Sequence, residues 1–373
     1  MQTPKSYLSS AFLISLTFLL LACSPNQGST SPTSLPPLRL EVVAADVELV
    51  VALDISPDGR LFYATQSGGV FTKQLQPNAD GQFPPAVPLI DSLDVARGSE
   101  SGLLGLALAP NFSDTHHFFL YYTVPDSAGE PLMGRIVRYT EADGQATDET
   151  VIVDNLPTHP QPQFHFGGAL TIGPDDKIYL IFGDANMPAL ATDPDFLEGS
   201  ILRYDLDGGI PADNPFPGSP VYAYGIRNGF GLAFHPETGL LYESENGESC
   251  DDELNLIEPG VDYGWGVYAY DQCPYPDDHA TPPLYQWTPP IAPAGMIFYT
   301  GGLIPELNGD LLLCGFNSAH MYQLTLSVDG RQVDNVAVVQ VADRDDFCRI
   351  AILQGPDGWI YTSTHNTIYR IGR

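Results

Sequence analysis

Three segments of this 373-residue chain carry polar side chains that strand packing does not need. In Phe164-His165-Phe166-Gly167-Gly168 an imidazole stands beside two glycines. Glycine lets backbone approach a ligand closely, and histidine takes up a proton near neutral pH. The segment therefore suits a general base, and equally a plain structural hydrogen bond. In Tyr224-Gly225-Ile226-Arg227-Asn228-Gly229 a guanidinium sits in a glycine-rich loop, in a chain with only 15 Lys and Arg. It suits an anion, or a salt bridge to one of the 46 acids. The third segment gathers Glu243, Glu245, Asn246, Gly247, Glu248, Asp251, Asp252, Glu253 and Asn255, then Tyr263 and Trp265. Carboxylates, amides and glycine-exposed carbonyls are hard oxygen ligands of the kind calcium takes. The spacing is not that of an EF-hand, and a solvated acidic loop is the plainer alternative.

The elements that must hold these groups read as strands. Short runs of Val, Ile, Tyr, Phe and Leu alternate with Gly, Pro, Asp and Asn clusters, with almost no helical periodicity. One unit recurs: an apolar strand, a Pro-Asp-Gly-like turn, a second apolar strand. Its prolines are Pro57, Pro110, Pro174, Pro236, Pro305 and Pro356. A spacing of roughly 50 to 70 residues suits a four-stranded blade with inserted loops. Six copies predict an all-β fold, a six-bladed β-propeller of four-stranded antiparallel blades; a β-sandwich does not account for the repetition. Leu38–Val43, with Val47–Val51 after it, is expected to add a strand to the last blade and cover its edge. Loops at one mouth of the channel then converge on a shared pocket.

The N-terminus reads as a targeting signal. Lys5 precedes the apolar run Ala11 to Ala22, which is short for a bilayer span and ends at Leu20-Leu21-Ala22-Cys23, a lipobox-like pattern. The expectation is a signal peptide over 1–22, lipidation at Cys23, an uncharged Ser/Pro-rich tether over 23–37 and a propeller over 38–373. The mature chain would be exported and held on the extracytoplasmic side of a membrane by its lipid, without spanning it. Four further cysteines suggest two disulfides in an oxidising compartment, with Cys250–Cys273 and Cys314–Cys348 the favoured pairing of three. A formal charge of −31 argues against nucleic acid and against adsorption on anionic lipid.

Taken in order, further motifs carry a resemblance. They are Glu100-Ser101-Gly102-Leu103-Leu104-Gly105, His165-x-Gly-Gly, Ile201 to Phe216, Tyr224-Gly-x-Arg227-Asn228, Glu245-x-Gly247 leading to Asp252-Glu253 and Pro259-Gly260, Tyr263-Gly264-Trp265, and Ile291 to Met296. Over nearly all of the mature domain the chain resembles the soluble sugar dehydrogenases that use pyrroloquinoline quinone (PQQ) and calcium. The resemblance implies that His165 is the base that takes the substrate hydroxyl proton while hydride passes to the quinone. It implies that Arg227 and Asn228 contact PQQ, with Arg227 stabilising charge on a quinone oxygen. It gives Gly247, with Glu248 beside it, to the calcium on PQQ, Glu253 and Tyr263 to a second calcium, and Glu100 to substrate.

The departures concern the cofactor's negative charge. Where the family places a Lys, this chain has Cys314-Gly315-Phe316-Asn317-Ser318-Ala319-His320. Where the family has Arg-x-Arg, it has Arg344 and Arg349 around Cys348. Asn317 and Arg349 are the expected stand-ins at the PQQ site, with Arg344 and His320 as further candidates. Glu248 replaces the family's proline. The leading expectation is a PQQ- and calcium-dependent dehydrogenase that oxidises the C1 hydroxyl of an aldose or similar alcohol and passes electrons to an external acceptor. The alternative is a cofactorless, calcium-braced propeller that recognises a glycan or protein; a hydrolytic propeller is third.

Overall fold

The computed structural model describes residues 36–158, 164–266, 281–342 and 344–373. The expected leader, Cys23 and the tether as far as residue 35 lie outside them, as does Cys273. Among the described residues no helix is long and apolar enough to cross a membrane. Residues Pro37–Arg373 form one compact unit.

That unit is a ring of six four-stranded antiparallel sheets, as the repeat predicts. The first strands of the blades are Val50–Ile55, Leu103–Leu108, Leu170–Ile172, Gly229–Phe234, Pro293–Phe298 and Ile352–Gln354. Each packs against the first strands of its two neighbours, so they line the channel. The turn chemistry acts locally at Pro57-Asp58-Gly59, where Gly59 adopts φ +83° and its N–H donates to Ser56 O at 2.8 Å. Pro305 differs from the expectation: it opens a short 3₁₀ turn, Pro305–Leu307, rather than a tight hairpin.

The ring is closed by the N-terminal strand Arg39–Ala45, which pairs antiparallel with the last strand, Thr367–Gly372. The following segment does not join it. Val50–Ile55 begins the first blade instead; the Val47 N–H reaches back to Asn366 O, and Val50 O accepts from Ser363 Oγ. Six apolar clusters fill the six junctions between blades, with Tyr121, Phe119, Phe182 and Tyr361 almost wholly buried. At about 1.5–3 kcal/mol for each fully buried large apolar side chain, these junctions outweigh any single polar contact in holding the ring together.

A hydrogen-bond circuit runs around one mouth of the channel through the loops that precede the first strands and follow the second. Gln66 bonds Ser101, Glu100 bonds His165, Asp184 N–H donates to Arg227 O, and Asn246 bonds both Asn228 O and Pro293 O. Asp252 bonds the Ile291 and Ala292 N–H groups, and Phe316 N–H donates to Ala292 O. Arg349 bonds Phe316 O, and Ser363 returns to Val50 O. Every blade contributes, so the site-bearing loops of distant sequence segments are held in one frame.

Candidate active site

His165 stands at the start of the third blade, 8% exposed, in left-handed backbone conformation with φ +63°. A non-glycine residue there is strained and persists only when its surroundings hold it. Two carbonyl contacts explain the neighbouring glycines: a Cβ on Gly183 would collide with His165 O, and one on Gly167 with Ile181 O. The ring is fixed too. His165 Nδ1 lies 2.7 Å from Asp184 Oδ1, and Asp184 is fully buried. Asp184 also accepts the indole N–H of Trp265 at 2.7 Å and the Asn186 N–H at 2.8 Å. A buried carboxylate receiving donors holds the proton on Nδ1 and leaves Nε2 with its lone pair, the tautomer a general base needs.

Arg227 and Asn228 follow the last strand of the third blade. Arg227 Nη1 donates to Asn246 O at 2.9 Å, and the guanidinium lies 5.4 Å from the Trp265 ring centroid. Its Nε is buried and has no partner among the described residues. Asn228, 2% exposed, donates from Nδ2 to Glu100 Oε2 at 3.2 Å and accepts the Gly167 N–H on Oδ1 at 3.1 Å. Glu100 Oε2 also accepts the His165 N–H at 2.8 Å. Sequence reasoning therefore named His165, Arg227, Asn228 and Glu100 as one site, and the fold brings them together. It missed Asp184, and it set Trp265 with the acidic segment rather than with His165.

On the fourth blade the acidic segment divides. Asp252 serves the backbone, accepting N–H groups from Gly247, Ile291 and Ala292. Glu243, Glu245 and Glu253 converge on Asn255 Nδ2, at 3.2, 3.4 and 3.3 Å. Burial pushes Glu243 up to about 8 and Glu253 to about 7, and Glu245 well above the usual carboxylate range. An amide nitrogen occupies the centre of these carboxylates, and among the described residues no set of three His, Cys, Asp or Glu has metal-holding geometry. Glu248 is exposed. The Tyr263 hydroxyl donates to Leu256 O at 2.6 Å and accepts the Glu258 N–H at 2.9 Å.

The fifth and sixth blades meet at the expected disulfide Cys314–Cys348, Cα–Cα 4.9 Å. It draws Arg349 onto the Phe316-Asn317 turn, where Nη1 donates to Phe316 O at 2.6 Å. Its other guanidinium edge holds Asp346 at 3.0 and 3.1 Å. Arg344 bonds the Tyr369 hydroxyl and lies over its ring, while Asn317 is exposed and His320 is placed by its backbone bonds to Ser318 Oγ and Gly315. Cys250 is disulfide-bonded; Cys273, its expected partner, lies outside the described residues.

Among known proteins, the chain is similar to sugar dehydrogenases. The chain is 28% identical to the aldose sugar dehydrogenase YliI of Escherichia coli, over 88% of this chain and 90% of that protein. It is 33% identical to quinoprotein glucose dehydrogenase B of Acinetobacter calcoaceticus, over 60% of this chain and 52% of that protein. The PQQ-bound aldose sugar dehydrogenase of Streptomyces coelicolor superposes with a TM-score of 0.73 at 25% identity, covering 90% of this chain and 99% of that one. The glucose/sorbosone dehydrogenase family model matches residues 47–372, and the chain belongs to that family of oxidoreductases.

Proposed function

We propose that this protein is a PQQ- and calcium-dependent aldose dehydrogenase that oxidises the C1 hydroxyl of its substrate, with His165 as base. One observation carries the reading: a buried His165–Asp184 pair that keeps the proton on Nδ1, joined through the Asp184 N–H to Arg227 O, with an Arg227 Nε that is buried and lacks an acceptor among the described residues. A buried donor without a partner costs about 1–3 kcal/mol, and an anionic cofactor oxygen supplies the missing acceptor. These residues suit an anionic cofactor such as PQQ, for which Arg227, and Arg349 beside Asn317, would supply the positive charge. A calcium ion at Gly247 would draw on main-chain oxygens, since the Cys250 and Asp251 carbonyl oxygens crowd the position a Cβ on Gly247 would take. Glu253 and Tyr263 would serve a second ion, Glu253 through its carboxylate and Tyr263 through its main chain. A cofactorless binding module leaves both the oriented imidazole and the orphaned guanidinium N–H without a use.

When bound, PQQ supplies the two-electron acceptor for the hydride from C1. His165 Nε2 takes the C1 hydroxyl proton, and Asp184 stabilises the resulting imidazolium through Nδ1–H. Trp265 and Asn186 hold Asp184 in place, and the mouth circuit fixes the spacing between His165 and Arg227. The electrons leave to an external acceptor. The lipobox-like Leu20-Leu21-Ala22-Cys23 supports, as part of this proposal, a mature protein tethered through Cys23 on the extracytoplasmic side of a membrane.

The test is His165→Ala in the full chain, with PQQ, calcium and a panel of aldoses, followed by dye reduction and quinone absorbance. Sugar-dependent reduction should vanish while PQQ still binds saturably. Undiminished turnover by the variant removes His165 from the mechanism.

A further inference from the structure

Glu100 stands where the family resemblance puts a substrate contact, yet its carboxylate is committed to the protein. Oε2 accepts the main-chain N–H of His165 at 2.8 Å and the Asn228 Nδ2–H at 3.2 Å, and Asn228 Oδ1 accepts the Gly167 N–H at 3.1 Å. These three bonds close a ring around residues 165–167, the segment that holds His165 at φ +63°. The loop presenting Glu100 is itself braced. Gln66 donates to the carbonyls of Ser99 and Ser101, Gly102 N–H donates to Thr123 Oγ1 at 2.8 Å, and a Cβ on Gly102 would collide with Gln66 O. A carboxylate on a rigid loop, spent on the backbone N–H of a strained residue, is built to hold that residue.

We infer that Glu100 is a positioning residue for the base: with Asn228 it clamps the His165 backbone in its left-handed conformation and sets the aim of Nε2. This inference rests on His165 being the base. Asp184 fixes the ring from the Nδ1 side, and Glu100 fixes the main chain from the second blade. The two act on different degrees of freedom of one side chain. A glutamine can accept the same two bonds through its amide oxygen, whereas an alanine accepts neither.

The experiment compares Glu100→Ala, Glu100→Gln and His165→Ala in the full chain. Glu100→Ala should lower kcat about 10- to 100-fold, the scale of a misplacement of order 1 Å at a reacting group, with KM for glucose and xylose changed less than about twofold. Glu100→Gln should recover most of that loss. Hydrogen exchange of the 164–168 segment, measured without cofactor, should quicken at least about fivefold in Glu100→Ala but not in Glu100→Gln. A KM that rises differently for the two sugars with kcat retained would make Glu100 a substrate contact and overturn the inference. So would unchanged exchange in Glu100→Ala. Retained turnover in His165→Ala removes the base reading alone, because the exchange measurement still reports whether Glu100 holds the segment.

Discussion

Replacing Asp184 by Asn tests the base in the most direct way the geometry allows. Three donors converge on this fully buried carboxylate: His165 Nδ1–H, Trp265 Nε1–H and the Asn186 N–H. An amide of the same shape offers one acceptor edge and one donor edge, so one of its two faces must meet a donor. If the NH₂ faces Trp265, the indole bond is lost at about 1–3 kcal/mol of stability and a thermal midpoint lower by a few degrees. If it faces His165, Nδ1 must become an acceptor, which moves the ring proton to Nε2 and removes the base. In either orientation the imidazolium formed during turnover loses a charge-assisted bond of about 1.5–3 kcal/mol, roughly 10- to 150-fold in rate. The reversed tautomer raises the loss toward about 10⁴-fold, as in other carboxylate–histidine arrangements. Steady-state kinetics with saturating PQQ and calcium should therefore show kcat down at least about tenfold, with KM nearly unchanged because Asp184 touches no substrate. A kcat within about threefold of wild type would refute the claim that Asp184 sets the tautomer.

Two further outcomes follow from the charges. Asp346 occupies one edge of Arg349 while itself half exposed, and such pairs contribute about 0–1 kcal/mol. Asp346→Asn should thus tighten PQQ binding by up to about fivefold in an absorbance titration, and Arg349→Ala should weaken it; the opposite ordering excludes Arg349 from the cofactor's carboxylates. Glu243 at about 8 and Glu253 at about 7 lie above their unfolded range because burial favours the protonated form. Their contribution to stability is present below about pH 4.5 and is lost as pH rises through 7 to 8. Carboxylates held low by partners, such as Asp58 and Asp154, are ionised in both states there and do not oppose it. With a chelator present, the thermal midpoint should fall between pH 6 and 9. Glu243→Gln should flatten that fall, and so should calcium, whose binding supplies the missing positive charge. A midpoint that rises over this window would contradict the burial argument.

The ring was legible because its period is written in turn chemistry. Proline followed by Asp and Gly marks the link between first and second strands, and apolar runs on both sides leave no room for helices. The closing strand was legible as an apolar run before the first repeat. Its partition was not: Val47–Val51 is as apolar as Leu38–Val43, and only pairing with Thr367–Gly372 decides which of them joins the last blade. His165 and Arg227 showed themselves as polar residues that interrupt the repeat, and Glu100 only through the family resemblance. Asp184 did not, and Trp265 showed only as part of the acidic segment. Gly183-Asp184-Ala185-Asn186 reads as a turn, and Trp265 stands in sequence with the acidic segment, far from His165. They lie 19 and 100 positions beyond His165 in sequence, and the circuit of blades makes them its neighbours. Asp252 shows the converse: an apparent metal ligand in an acidic run, it is occupied by three backbone N–H groups.

The cation deficit read from the sequence also changes meaning in the ring. Along the chain, the loss of a lysine near Asn317 and the shift of the arginines around Cys348 look like two separate defects. In space they are one junction. The Cys314–Cys348 bond ties the fifth-blade turn to the segment entering the sixth, and Arg349 crosses to Phe316 O, next to Asn317. The neighbouring His365 ring packs edge-on against Phe316 at 5.2 Å. A guanidinium delivered from one blade thus stands beside the position left neutral on the other, because a closed ring makes adjacent blades interchangeable sources of charge at a shared mouth. With 15 basic residues against 46 acids, a cation at that mouth is held against a strongly negative background, and an anionic cofactor would depend on Arg227 and Arg349 together rather than on either alone.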